Sequence, residues 1–270
     1  MKFIRLASLL WIPLLFTLFA CRAQISAPTP DNSATPPKPT ALPIAAIEAQ
    51  IRLRLGETLL LDLERDLPGC FTLSEVRYSP DGQFFLALPD CFEGDNEAVI
   101  FSSDGQVSLR ITGQWDKVSY DNIDWAIDSR SLVYQRINSC CADVPPQAPP
   151  PGLVQFQIET QQKQLLIAAS EPPGFTYPTS PKFSPDGRWI AYLHGSNAPG
   201  SEVRLYEVAS AAIWSLGISP EHPYSVDLAW QANAAQENYL LLLYHTNGSP
   251  LAEYSIGVDP QSIPPGIKIQ

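Results

Sequence analysis

After the first twenty residues, apolar positions come in short bursts separated by Gly, Pro, Asp and Asn. No stretch there keeps a helical spacing for more than about two turns. The bursts pair around tight-turn sequences. Val76-Arg77-Tyr78 leads through Ser79-Pro80-Asp81-Gly82 into Phe84-Phe85-Leu86-Ala87-Leu88, and Lys182-Phe183 leads through Ser184-Pro185-Asp186-Gly187 into Trp189-Ile190-Ala191-Tyr192-Leu193. Pro fits the first central position of such a turn, Asp bonds its own downstream backbone, and Gly takes a positive φ. Further pairs join residues 98–101 to 106–111, 203–208 to 213–216, and 240–244 to 251–256, with Asp104-Gly105 in the first gap and Asn247-Gly248 in the last. These dipeptides are strong hairpin signals, and the expectation is an all-β chain.

The hairpins recur at long range. Degenerate copies of the same unit are Ile123-Asp124-Trp125-Ala126-Ile127-Asp128-Ser129 and Asp227-Leu228-Ala229-Trp230. Aromatic positions 78, 125, 183 and 230 fall 47, 58 and 47 residues apart, and the long middle interval holds the Pro-rich stretch 144–152. A period of this size is what stacked four-stranded units produce. The pattern aromatic-Ser-Pro-Asp-Gly-x-x-apolar-Ala-aromatic resembles the WD-like β-propeller repeat of the TolB type over roughly residues 66–270. The resemblance implies an all-β propeller of about four four-stranded blades, with residues 51–63 adding a partial fifth blade or a closing strand. It also implies that Tyr78, Trp125, Phe183 and Trp230 pack between blades. Asp81, Gly82, Asp128, Asp186 and Gly187 would close the inner hairpins.

The amino terminus has a different character. Lys2 and Arg5 precede fifteen uncharged residues, a run shorter than the roughly 20 that span a bilayer. It ends in Leu18-Phe19-Ala20-Cys21, which resembles the lipobox of bacterial lipoproteins. That resemblance makes residues 1–20 a signal peptide and Cys21 the lipid attachment site. At about 0.8 kcal/mol per buried methylene, two or three acyl chains would fasten the chain to a membrane. Arg22 stands where the family's inner-membrane retention signal places Asp, which points to an outer membrane or the outer face of a single one. Residues 21–46 then form the lipidated Cys and a Pro-rich tether, up to ~75 Å long when extended. Residues 47–270 form the propeller domain.

Composition narrows the partners. The 270 residues are 45% hydrophobic and 17% charged, with 27 Pro and a net charge of −11, or −13 once residues 1–20 are set aside. Such acidity offers no electrostatic route to nucleic acid.

Apart from Cys21, the cysteines are Cys70, Cys91, Cys140 and Cys141. If the first hairpin turns between Pro80 and Asp81, Cys70 and Cys91 face each other within bonding range, so a disulfide is expected there. Cys140 and Cys141 are neighbours, for which a bridge is strained; an inert or loosely paired couple is expected.

The sequence has no Gly-x-Ser-x-Gly elbow, phosphate loop, dinucleotide fingerprint or His-Glu-x-x-His motif, and His194, His222 and His245 are its only histidines. His194 and His245 read as strand-end residues. Glu93-Gly94-Asp95-Asn96-Glu97 reads as a solvated turn in preference to a calcium loop, and Pro145-Pro146-Gln147-Ala148-Pro149-Pro150-Pro151 as a semi-rigid surface loop. No catalytic residue, cofactor or metal is expected.

The functional expectation is a monomeric, lipid-anchored, extracytoplasmic platform that binds an envelope protein or cell-wall component without catalysis. The rival is a propeller that binds or hydrolyses glycans or peptides, suggested by Trp115, Tyr120 and Trp125 near Asp116, Asp121 and Asp124. Two carboxyls about 5–9.5 Å apart in one cleft would favour the rival.

Overall fold

The computed structural model describes residues 45–92, 95–113, 115–138, 145–170, 176–195, 202–216, 226–233, 238–245, 248–257 and 267–268. Residues 1–44 with Cys21, and Cys140, Cys141 and His222, lie outside the described residues. All described residues belong to one compact unit, 41–270.

The strands form antiparallel sheets laid down one after another along the chain. The first sheet is β1 (Ala45–Glu48), β2 (Arg52–Leu55) and β3 (Thr58–Asp62), followed by the single-turn helix α1 (Leu63–Asp66). The second is β4 (Cys70–Tyr78), β5 (Phe84–Cys91), β7 (Val99–Ser102) and β8 (Ser108–Arg110); β6 (Asp95–Asn96) departs from it. The third runs β9 (Lys117–Trp125), β10 (Ser131–Ile137), β11 (Gly152–Gln157) and β12 (Lys163–Ala168), with β6 on the free edge of β9. The fourth is β13 (Tyr177–Phe183), β14 (Trp189–Gly195), β15 (Glu202–Glu207) and β16 (Ile213–Ser215). The fifth is β17 (Val226–Asn233), β18 (Asn238–His245) and β19 (Pro250–Gly257); from it the chain returns to lay β20 (Ile267–Lys268) beside β16.

The unbroken apolar bursts have a direct explanation. A strand with one wet face alternates apolar and polar, whereas a strand buried on both faces reads as apolar throughout. Phe85 and Ala87 of β5 face a core shared with Leu53, Leu61 and Leu63, while Leu86 and Leu88 face a second core with Ile123, Leu132 and Val154. Likewise Ile190 and Tyr192 of β14 pack against Val133 and Leu153, and Trp189, Ala191 and Leu193 pack against Leu228, Leu241 and Leu243. Each of these four clusters therefore lies between two sheets that are successive in the chain.

Three expectations change. Residues 51–63 hold two strands, β2 and β3, which with β1 make a three-stranded sheet, and sheet sizes run 3, 4, 5, 5 and 3 among the described residues instead of a uniform four. The folded unit also takes in Ala45 and Ala46, expected in the tether, because they pair with Leu55 and Arg54 across the first hairpin. The first repeat hairpin turns one residue later than expected. Tyr78 pairs with Phe85, which centres the turn between Asp81 and Gly82. Two register shifts in β4, between Leu73 and Glu75 and between Cys70 and Thr72, then bring Cys70 opposite Cys91. A disulfide joins them, with Cα atoms 3.8 Å apart.

That bridge closes a loop across a sequence separation of 21 residues, which on chain-entropy grounds contributes about 3 kcal/mol. Urea unfolding with and without reductant should show a loss of that order, and the Cys70→Ser/Cys91→Ser chain should match the reduced protein.

Candidate functional site

The first strands of successive sheets carry the repeat aromatics, and each aromatic position is tied backwards to the preceding sheet. The Trp125 indole donates to the Arg77 carbonyl at 3.2 Å, and the Trp230 indole donates to the Lys182 carbonyl at 3.0 Å. In both cases the acceptor is the residue just before the previous unit's aromatic. Phe183 has no ring donor; its backbone N–H donates instead to Asp124 Oδ2 at 2.8 Å, the same relative position. Tyr78 has only the first sheet behind it, and its hydroxyl accepts the Ala45 N–H at 2.7 Å. Trp125 and Phe183 are buried and Trp230 is half-buried. Tyr78 is 36% exposed, so it departs from the packing role implied for it: its ring leans on Phe85, and its hydroxyl makes the tie.

A charged seam runs beside these ties. Arg77 donates to the Ile123 carbonyl at 3.0 Å and to Glu75 Oε2 at 2.7 Å. The Arg77 hydrogen bond, opposed by partial burial and assisted by the Arg77 and Lys182 charges, holds the Glu75 carboxyl below its ordinary range. Glu75 is on the second sheet and Lys182 on the fourth. The first strand of the third sheet meets both of its neighbours: Arg77 of β4 reaches the Ile123 carbonyl, and the Phe183 N–H of β13 reaches Asp124.

The turn residues act locally. In Ser79–Gly82 the Asp81 carboxylate accepts from the Ser79 hydroxyl and the Gln83 N–H, while Gly82 sits at φ 70°. Ser184–Gly187 repeats this with Asp186 accepting from Ser184 and Arg188, and Gly187 at φ 72°. Asp128 accepts the Arg130 N–H, but Ser129 replaces glycine at φ 58°. That hydroxyl accepts the Asp81 N–H at 3.0 Å, so a residue ill suited to the backbone supplies one more tie between sheets.

Two of the three acids of the rival reading, Asp116 and Asp124, are committed to structural contacts. Asp116 is buried and accepts from the Tyr134 hydroxyl at 2.9 Å and from Lys163. Asp124 holds the Phe183 N–H, and burial raises its carboxyl pKa despite the nearby Lys182 and Arg77 charges. The side chains of Tyr120 and Asp121 lie outside the described residues.

While Glu93, Gly94 and the Asp95 side chain lie outside the described residues, Glu97 departs from the solvated-turn reading. Its side chain is 4% exposed and accepts from Arg110 at 2.6 and 2.9 Å, from Thr112 and from Lys117. Burial opposes its charge, yet those three partners together keep its carboxyl below the ordinary range. Its partners come from two sheets, so no local pattern announced it.

His194 is a strand-end residue set edge-on to Tyr192, with ring centroids 6.2 Å apart. Burial, reinforced by Arg204 and opposed by Glu202, pushes its pKa down to about 4. Among the described residues no three His, Cys, Asp or Glu side chains gather to hold a metal ion, and no helix is long and apolar enough to cross a membrane.

One feature escaped the sequence reading. Phe71 and Phe92 are 58% and 62% exposed, the most exposed large hydrophobic side chains among the described residues. Their rings meet edge-on at 6.5 Å, directly beside the Cys70–Cys91 bridge. The signal was present as an aromatic following each cysteine of a facing pair.

No family model and no curated protein matches the sequence. Solved structures do. A prolyl endopeptidase aligns over 71% of this chain and 28% of its own, with a TM-score of 0.50 at 14% identity. A protein assigned as a dipeptidyl aminopeptidase IV from Bacteroides ovatus aligns over 78% and 36%, with a TM-score of 0.51 at 12% identity. At these identities the likeness is one of fold, and the chain spans about a third or less of either protein. TolB from Acinetobacter baumannii aligns over 76% of this chain and 49% of its own, with a TM-score of 0.42 at 14% identity.

Two substitutions test the electrostatics. Glu97→Gln leaves Arg110 and Lys117 without their anion and should cost about 3 kcal/mol at pH 7. Because the folded pKa lies below 4.5, the carboxylate's contribution is present above pH 4.5 and is lost as pH falls through the folded value. Urea unfolding should therefore show the Glu97→Gln penalty shrinking below pH 4.5. Asp124 has the opposite sign: its folded pKa lies above 3.8, so its burial costs nothing below pH 3.8 and more as pH rises through the folded value. Asp124→Asn, which keeps an acceptor for Phe183, should gain stability relative to wild type between pH 3 and pH 7.

Proposed function

We propose that the chain is a lipid-anchored, extracytoplasmic β-propeller of the TolB-like kind that serves as a non-catalytic binding platform in the cell envelope. In this reading the successive sheets are blades, and their first strands line the propeller axis. The observation that carries the platform over an enzyme is the commitment of Asp116, Asp124 and Glu97. Each is buried or half-buried and bonded to groups that join strands or sheets. A carboxyl held in that way is a structural acceptor, whereas a general acid or base has to face substrate.

Placement outside the cytoplasm rests on two supports. One is the charged and then apolar leader ending at Cys21. The other is the Cys70–Cys91 disulfide, of a kind that persists in oxidising compartments and is rare in the cytosol. The partner is an envelope protein or a cell-wall component, bound by a monomer.

Expression of wild-type and Cys21→Ala chains in a bacterial host tests the anchor. The wild-type protein should incorporate labelled palmitate and enter the detergent phase, and the Cys21→Ala chain should do neither. Equal detergent partitioning of the two would remove the anchor. Incubation with peptidoglycan fragments and peptide libraries should leave them intact, and product release abolished by Asp116→Asn or Asp124→Asn would establish the rival hydrolase.

A further inference from the structure

We infer that the disulfide-stapled end of the β4–β5 hairpin is a docking surface for an apolar protein segment flanked by lysine or arginine. Phe71 and Phe92 are its anchors and an acidic rim is its selector. This rests on the platform reading and names where that platform binds and what chemistry it accepts.

Exposing two phenylalanines costs solvation and contributes nothing to the core, because neither belongs to any of the four buried clusters. They are also held in place. Phe71 follows Cys70 on β4, Phe92 follows Cys91 at the end of β5, and the bridge joins those two strands. The Phe92 N–H donates to the Gly69 carbonyl at 3.0 Å, and the Cys70 N–H donates to the Leu67 carbonyl at 3.0 Å. A pair of aromatics fixed before contact loses little entropy on binding, the property that makes such residues interface anchors.

The surrounding charges choose the partner. On α1, the loop after it, and the paired ends of β4 and β5 (residues 63–73 and 88–92), the charged residues are Glu64, Arg65, Asp66 and Asp90. Arg65 is already bound to Asp66, at 2.6 and 2.7 Å. Asp90 is exposed and is steadied by the Thr72 hydroxyl at 3.0 Å, across the strands from Phe71's neighbour. These stretches therefore carry three acids against one base, with Asp90 beside the Phe71 neighbour Thr72, and the whole chain is acidic at −11. An anionic bilayer would be repelled by such a rim and an acidic peptide likewise. An apolar segment carrying positive flanks would be drawn in and then held by the rings.

The test uses the full lipidated chain in phosphatidylcholine nanodiscs and a fluorescein-labelled peptide with a Leu-Phe core between lysines. Its counterpart with glutamate flanks is the control. The lysine peptide should bind, and Phe71→Ser and Phe92→Ser should each weaken it at least about tenfold. Asp90→Lys should weaken the lysine peptide and strengthen the glutamate one, while Ile127→Ser, an exposed apolar residue elsewhere on the chain, should change neither. Retention of the disulfide, read by thiol titration, and an unchanged urea midpoint identify variants that are folded. Equal affinity of the wild type and both Phe variants for the lysine peptide overturns the inference and leaves the platform standing. So does equal affinity of the wild type for both peptides. Phe-dependent sedimentation of the Cys21→Ala chain with phosphatidylglycerol vesicles, without peptide binding, overturns it in favour of a membrane contact. Cleavage of the peptide, seen by mass spectrometry, would instead defeat the platform reading, with the Phe dependence of binding still deciding the docking surface.

Discussion

A strand that is apolar on both faces needs a neighbour on each, and in this protein the second strands of the middle three sheets are of that kind. β5, β10 and β14 each divide their side chains between two different cores. A single sheet of three to five strands cannot keep both faces dry alone, so the sheets are mutually dependent in the way repeat units are. Each sheet accordingly packs against the sheets before and after it in the chain. Stability of this sort is shared among interfaces, and a fault in one should be felt mainly by the two sheets that meet there.

Apolar contact sets which faces meet but is poor at fixing how far one sheet slides along another, because it is not directional. The backward ties supply that. A hydrogen bond at each aromatic position reaches the sheet before it, made in three ways: the indoles of Trp125 and Trp230 donate, the backbone N–H of Phe183 donates, and the Tyr78 hydroxyl accepts a backbone N–H. At Phe183 the tie exists without a ring donor, because Asp124 accepts from the backbone instead. That solution puts a carboxyl into a buried seam, where desolvation disfavours its charge. Glu97 bears a similar burden with the opposite result, since two cations and a hydroxyl overcome the desolvation.

Much of this was legible from residue order alone, for a physical reason. Turns depend on four or five consecutive residues, and Ser-Pro-Asp-Gly writes its hydrogen bonds into its own side chains. Hairpins were accordingly readable, with the partners of Asp81 and Asp186 inside the motif itself. The cysteines face each other through two departures from a plain hairpin that offset each other: the turn centres one residue beyond Pro80/Asp81, and two bulges in β4 restore the alignment. Bulges have no reliable sequence signature, so a register counted over eight or nine residues carries that hazard. Glu97 reads locally as solvated because its neighbours are acidic, while the residues that hold it, Arg110, Thr112 and Lys117, stand 13, 15 and 20 positions away. Side-chain hubs assembled from several strands are a product of the fold and are invisible to a local window.

The period itself separates structural aromatics from available ones. Tyr78, Trp125, Phe183 and Trp230 keep the repeat spacing, and all four serve the joints between sheets. Phe71 and Phe92 have no counterpart in the repeat, and the fold leaves them in solvent. A residue that recurs with the unit answers to the unit's construction. One that breaks the period and is still large, apolar and fixed in place opposes the solubility of the surface it occupies. Had these positions mattered only to the hairpin, any polar residue beside the cysteines would serve, because the bridge and the Gly69 contact hold the backbone without either ring. The pair is therefore explained by something outside the domain's own stability. The acidic residues around it limit what that partner can be.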